Sequence, residues 1–123
     1  MLTVESQEIQ DFLTAWHENN RISYRGYKNL DYDRDNQKTA HDRRKYIACD
    51  YGNKTSRSGA FLIDKKTHII YSIKGYGQRG YCLGMVEELT VEFHKATATQ
   101  KPERDSYWQQ SHKKIMGMGK TTA

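Results

Sequence analysis

The sequence has no long hydrophobic run, and its first twenty residues contain no lysine or arginine. A membrane-spanning helix needs roughly 18 apolar residues in succession, which no segment provides. The opening stretch, MLTVESQEIQDF, also lacks the basic start and apolar middle of a secretory signal. We therefore expect a soluble, cytoplasmic protein.

Cysteine is scarce as well. Cys49 and Cys82 are the only two cysteines, and neither belongs to a CxxC motif or a Cys/His cluster. This spacing argues against a structural zinc site. Isolated cysteines of cytosolic proteins are most often small buried residues, and we expect both of these to be buried.

The sequence also lacks a recognisable catalytic arrangement. The five histidines are scattered singly, none beside a cysteine, and Glu87-Glu88 suits a helix start as readily as an acid–base pair. We therefore expect a protein without enzymatic activity, cofactor or bound metal.

What the sequence does contain is an uneven charge. Its 123 residues, enough for one small domain, carry a net charge of +5. Residues 1–20 contribute −4, residues 21–84 contribute +8 and residues 85–123 contribute +1. A basic middle of this size attracts polyanions and releases counterions when it meets phosphates. The alternative is a charged surface that only keeps the protein soluble.

Residues 5–19 show the clearest helical pattern. Ile9, Phe12, Leu13 and Trp16 fall at positions i, i+3, i+4 and i+7, which places them on one apolar stripe. This stripe must be covered, and the predicted sheet is the only large surface on offer.

The stretch from Ser58 to Gly84 indicates a β-hairpin that runs into a glycine-rich loop. Apolar and polar residues alternate on both sides of a turn in which Asp64 and Thr67 can bond nearby backbone groups. We predict antiparallel strands at about 45–51, 59–64 and 68–74, with 81–86 as the candidate for a fourth.

The C-terminal part favours helices. Residues 85–96 fit either a helix or a strand, and their glutamate-rich start slightly favours a helix. Pro102 suits the first position of a final helix that would run through Ile115. We expect one α+β domain over residues 1–116 and a flexible tail at 117–123. Its predicted architecture is an antiparallel sheet of three to four strands with an N-terminal amphipathic helix packed on it and a C-terminal helix.

Residues 21–44 are polar and lack a sustained period, which predicts a long connection with at most short structure. Within it, Tyr24, Arg25 and Tyr27 interleave rings with a cation, a pattern that suits unpaired bases and phosphates. Tyrosine is also a normal half-buried boundary residue.

Four aspartates of this connection need separate consideration. The spacing of Asp31, Asp33, Asp35 and Asp42 matches the first, third, fifth and twelfth ligand positions of a helix-loop-helix calcium site. Asn36 replaces the glycine that such loops need, and nearby arginines can neutralise the acids. We therefore favour a salt-bridged loop over a cation site.

The glycine-rich loop spells GxGxxG from Gly75 to Gly80. A dinucleotide-binding fingerprint requires a helix to begin there, and the following residues do not favour one. We expect instead that the glycines let the backbone approach a flat or anionic partner; a glycine-bent strand without a ligand is the alternative. The neighbouring cations and rings are Lys74, Arg79, Tyr76 and Tyr81.

Residues 44–84 also carry a resemblance. Its residues are Arg44-Lys45-Tyr46, Ser58, Phe61, Ile63-Asp64-Lys65, Thr67, Ile70-Tyr71 and Ile73 to Gly77. The pattern resembles the "DKxTGxIY" hairpin of small, uncharacterised bacteriophage and mobile-element proteins, with His68 where those usually have glycine. The resemblance implies a phage or mobile-element origin, hence the host-cell cytoplasm, and imports no activity. Small basic phage proteins commonly act on nucleic acid or on a host enzyme that handles it.

These observations together favour a non-enzymatic protein that binds nucleic acid, DNA or RNA, or a complex that contains it. The candidate contacts are Arg43, Arg44, Lys45, Lys74 and Arg79 for phosphates, and Tyr24, Arg25, Tyr27, Tyr76 and Tyr81 for bases and backbone. We expect the cations to converge on one face beside exposed rings. Two alternatives stay open: an inhibitor of a host defence protein, such as an anti-CRISPR factor, and a phage structural or assembly component.

Overall fold

A computed structural model describes residues 1–23, 29–75 and 78–99 of the chain. The elements in chain order are helices α1 (Gln7–Ser23) and α2 (Asn29–Asp35), strands β1 (Gln37–Asp42), β2 (Tyr46–Gly52), β3 (Arg57–Asp64), β4 (Ile69–Gly75) and β5 (Gln78–Met85), and helix α3 (residues 86–99). The predicted α+β class is confirmed. None of the described helices is long and apolar enough to cross a membrane.

The strands form one antiparallel sheet in which each strand pairs with the next one in sequence. The three predicted strands and the candidate fourth are all present, as β2 to β5, and the sheet has five strands where three or four were predicted. The extra strand is β1, at the edge beside β2.

Helix α1 forms because its apolar stripe is buried. Ile9, Phe12 and Trp16 lie in the core, and the Phe12 ring contacts Phe61 of β3 edge-on at a centroid distance of 5.5 Å. Burying one such side chain contributes about 1.5–3 kcal/mol. The predicted helix is confirmed, and the stripe covers the sheet as expected.

Helix α3 resolves the ambiguity of residues 85–96 in favour of a helix. Its first turn is capped because the Glu88 carboxylate accepts a hydrogen bond from the Met85 N–H at 3.0 Å. Phe93 reaches Phe12 at a centroid distance of 5.9 Å, so the C-terminal helix packs against the N-terminal one. The helix predicted from Pro102 and the predicted tail lie outside the described residues.

Residues 21–44, predicted as a long connection with at most short structure, contain two short elements that the sequence did not locate. These are α2 and β1. Helix α2 is anchored by Tyr32, which is buried, while β1 has Ala40 as its sole apolar residue. An edge strand needs only one backbone partner, and β1 has it along its whole length, from Gln37 opposite Gly52 to Asp42 opposite Ile47. Hydrophobic alternation cannot reveal such a strand.

The turn between β3 and β4 is organised by Asp64, as predicted. Its carboxylate accepts hydrogen bonds from the N–H groups of Lys66 at 2.8 Å and Thr67 at 3.0 Å. The N–H groups of Thr67 and Lys66 hold the pKa of Asp64 below its ordinary value. His68 closes the turn with φ of 65°, a left-handed conformation that glycine favours.

Only one of the two cysteines is buried as predicted. Cys49 is buried in the core, and burial raises the pKa of its thiol to about 12. Cys82 is exposed, so its predicted burial is wrong. It lies on the edge strand β5, opposite Tyr71 and beside shifts in the β4–β5 register.

Candidate functional site

The two faces of the sheet have different environments. Residues opposite one another in register share a face, and the helix-facing set includes Ile47, Ile63 and Ile70 in one row. The residues that alternate with this set along each strand point to the opposite side of the sheet. We call this other side the open face; it includes Tyr46, Ala48, Leu62, Tyr71, Ile73 and Arg79, of which Leu62 is buried between its neighbours. Within the described part of the chain, no helix packs on it.

A continuous row of rings and cations crosses the open face. The Lys45 ammonium lies 5.5 Å from the centroid of the Tyr46 ring, and Tyr46 meets Tyr71 edge-on at 6.3 Å. The Arg79 guanidinium in turn lies 4.5 Å from the centroid of the Tyr71 ring. We call Lys45, Tyr46, Tyr71 and Arg79 the cation–aromatic row. Both tyrosines are half-buried, and both cations are exposed.

The predicted phosphate-binding cations lack acidic partners in the described part of the chain. They are Arg43, Arg44, Lys45, Lys74 and Arg79, none of which has a carboxylate oxygen within 4.0 Å there. Nearby acids are engaged elsewhere: Asp50 faces Arg57 and His41 at 3.4 Å each, and Asp42 faces Lys65 at 3.3 Å. No described carboxylate therefore forms an ion pair with any of the five, although the charge of Lys45 contributes to the lowered pKa of Asp64.

The sequence predicts that these cations converge on one face, and the structure places them in two separate groups. Arg43, Arg44 and Lys45 lie at the turn between β1 and β2, whereas Lys74 and Arg79 lie at the opposite end of the sheet. A strand of seven residues, such as β2, spans roughly 20 Å. Among the described residues, Tyr46 and Tyr71 lie between the two groups and contact Lys45 and Arg79.

Sequence reasoning missed these two connecting tyrosines. Tyr46 and Tyr71 each directly neighbour a core residue, Ile47 and Ile70, and so lie on the opposite face in a period-two pattern. This period-two alternation is the sequence signal that could have identified Tyr46 and Tyr71. It was not decisive because the sequence did not reveal which sheet face the helices cover.

Some of the contact residues predicted in the glycine-rich loop lie in the described part of the chain. Tyr81 is 73% exposed and, with Lys74 and Arg79, lines an open depression of about 430 Å³. Gly80 permits a close approach there, since a Cβ atom at this position would collide with the Ser72 hydroxyl. This geometry fits both a glycine-bent strand and a site for a flat ligand. The candidates Tyr24, Arg25, Tyr27 and Tyr76 lie outside the described residues.

Two motif hypotheses fail on geometry. The residues from Gln78 onward form strand β5, where a dinucleotide-binding fingerprint requires a helix. The predicted salt-bridged aspartate loop is instead a helix followed by a strand. Two of its carboxylates are ion-paired as expected, Asp33 with Arg21 and Asp35 with Arg34. The Asp31 side chain lies outside the described part.

A second polar cluster lies between α1, α2 and β1. The Lys38 ammonium donates to Asn36 O at 2.7 Å, to the Tyr32 hydroxyl at 3.2 Å and to His17 Nδ1 at 3.2 Å. His17 Nε2 then donates to Asp33 at 2.7 Å. Burial, with a smaller contribution from nearby Arg21, lowers the pKa of Lys38 to about 8.

This cluster resembles a catalytic arrangement but fits a structural role better. All three ammonium protons of Lys38 are engaged, so the amine has no free proton to offer a substrate. The Tyr32 hydroxyl also donates to the His17 carbonyl at 2.6 Å, which ties α2 to α1. The cluster therefore joins three elements. Its members are far apart in the chain, so no sequence motif predicts it.

No protein-family model, curated protein or solved structure matches the chain. The phage-like origin of residues 44–84 remains a prediction. At the one position where the chain departs from that pattern, His68 adopts the left-handed conformation that the glycine of the pattern would favour.

Proposed function

We propose that this protein is a non-enzymatic phage or mobile-element protein that binds single-stranded nucleic acid on the open face of its sheet. The observation that carries the proposal is the cation–aromatic row. Tyrosine rings on a sheet surface stack on unpaired bases, and lysine and arginine beside them meet the phosphates. A sheet with helices on one face and rings on the other is a common platform for this kind of binding.

The ring geometry favours a single strand over a duplex. Tyr46 and Tyr71 are half-buried in the sheet surface and cannot reach bases that are stacked inside a double helix. Unpaired bases can turn outward onto the rings. The cations at both ends of the row, Lys45 and Arg79, would then contact the backbone of the same strand.

The proposal is tested by fluorescence polarisation with labelled single-stranded and duplex RNA and DNA at low and high salt. We expect single strands to bind more tightly than duplexes, with an affinity that falls as salt rises. Tyr71→Leu keeps an apolar side chain on the sheet but removes the ring, and should weaken binding about tenfold, since stacking contributes ~1–3 kcal/mol per base.

The matched controls are Lys95→Ala, which removes an exposed cation from α3, and the thermal melting of each variant. Lys95→Ala should leave the affinity unchanged. Equal binding of duplex and single strand, or an unaffected Tyr71→Leu variant, would contradict the proposed site.

A host protein is the second candidate partner. The open face also carries apolar side chains, Ile69, Ile73 and Met85, of which Met85 is 37% exposed. Such residues suit a protein interface of an anti-defence factor. Absence of nucleic-acid binding at low salt, together with nuclease-resistant capture of one host defence protein, would favour this alternative.

A further inference from the structure

Three metal-ligand side chains from distant parts of the chain meet at one end of the molecule. Glu8 lies in the first turn of α1, His68 in the turn between β3 and β4, and Glu87 in the first turn of α3. One ligand atom from each lies within 4.8 Å of those of the other two. His68 Nδ1 and Glu87 Oε2 are 2.7 Å apart.

The backbone around these side chains is fixed by hydrogen bonds between the same three segments. The His68 N–H donates to the Asp64 carbonyl at 2.9 Å, and the His68 carbonyl accepts from the Val86 N–H at 2.8 Å. The Leu2 N–H donates to the Lys65 carbonyl at 2.9 Å, which ties the chain before α1 to the same turn. The three ligands are therefore brought together by the fold.

The two neighbouring glutamates of α3 have different roles. Glu88 accepts the hydrogen bond of the Met85 N–H and caps the helix. Glu87 does not serve in that cap and points to His68.

The ligand set selects a class of ion. Mg²⁺ and Ca²⁺ prefer oxygen ligands alone, whereas Zn²⁺ accepts one imidazole with carboxylates. Tetrahedral ligands at ~2.1 Å from Zn²⁺ are about 3.4 Å apart. His68 Nδ1 and Glu87 Oε2 are closer than that value at 2.7 Å, and all three ligand atoms lie within 4.8 Å of one another, so they are near enough to share one ion.

We propose that Glu8, His68 and Glu87 bind a divalent transition-metal ion, best Zn²⁺, with water completing its coordination. The ion would join α1, the β3–β4 turn and α3. None of these residues belongs to the cation–aromatic row, so the proposal is independent of nucleic-acid binding.

The test is a calorimetric titration of chelator-treated protein with Zn²⁺, accompanied by thermal melting. All proteins carry Cys82→Ser, because an exposed thiol can itself bind Zn²⁺. We expect one ion per chain and a higher melting temperature with Zn²⁺, since a ligand that binds only the folded state stabilises it. Mg²⁺ at the same concentration should have no effect.

Two variants remove one ligand each. His68→Gly keeps the left-handed backbone without the imidazole, and Glu87→Gln removes a charge; each should weaken Zn²⁺ binding more than about tenfold. His94→Ala and Glu92→Gln, exposed changes elsewhere on α3, are the controls and should bind as before. Absence of saturable binding, binding that survives His68→Gly, or equal stabilisation by Mg²⁺ would overturn the proposal.

Discussion

At the level of single residues, the β3–β4 turn combines one side chain that sequence reasoning explains with one that it does not. Asp64 was expected to bond nearby N–H groups, and it does. His68 is unexpected because its φ of 65° is costly for a residue with a Cβ atom. Propensity alone predicts glycine there. A histidine at this position is understandable if its imidazole has a use, such as its contact with Glu87.

The cost of this conformation can be measured with two variants that both lack the imidazole. His68→Gly should be more stable than His68→Ala by about 1 kcal/mol, because only glycine adopts the left-handed region without a penalty. The measurement is urea denaturation of both variants in a chelating buffer. Equal stability of the two variants would mean that residue 68 is not left-handed in solution.

At the level of elements, periodicity succeeds where side chains determine the structure. The stripe of α1 and the alternation in β2, β3 and β4 follow from burial against one another. Strand β1 was missed because backbone pairing with β2 holds it, and backbone bonds leave no pattern in the sequence. Helix α2 was missed for a related reason, since it depends on contacts of Tyr32 with α1 and with Lys38.

Lys38 gives this part of the fold a dependence on pH. Its pKa is about 8 in the folded protein and 10.5 ordinarily, so between these values the unfolded chain binds more protons. The contribution of Lys38 to stability is therefore complete above the ordinary pKa and is lost as pH falls through the folded one. The raised pKa of Tyr32 acts in the opposite direction above its ordinary value of 10.0.

The effect of Lys38 on stability can therefore be measured at pH values below 10.0, the ordinary pKa of Tyr32. We expect the free energy of unfolding to rise from about pH 7.5 to about pH 9.5, and the rise to be smaller in Lys38→Met, which has no ammonium to desolvate. Denaturant midpoints at the two pH values test this. Lys54→Met, an exposed change in the β2–β3 loop, is the control and should retain the wild-type rise. An identical rise in Lys38→Met would show that Lys38 is not the group responsible.

At the level of the whole molecule, the sequence predicted a basic middle, and the structure shows how its charge is distributed. Arg57 lies in that middle but faces Asp50, whereas Lys45 and Arg79 lack a described acidic partner and lie beside rings. Composition cannot distinguish a paired cation from an unpaired one. The candidate site could therefore be predicted as a set of residue types, but not as a surface.

The central claim is that the open face binds a single strand of nucleic acid through the cation–aromatic row. Its most direct test is NMR shift mapping of the labelled protein, titrated with a short single-stranded RNA. We expect the changes to concentrate on Tyr46, Tyr71 and Arg79, with α1 and α3 unaffected and with weaker changes at high salt. Changes centred on the helices, or no changes at low salt, would contradict it.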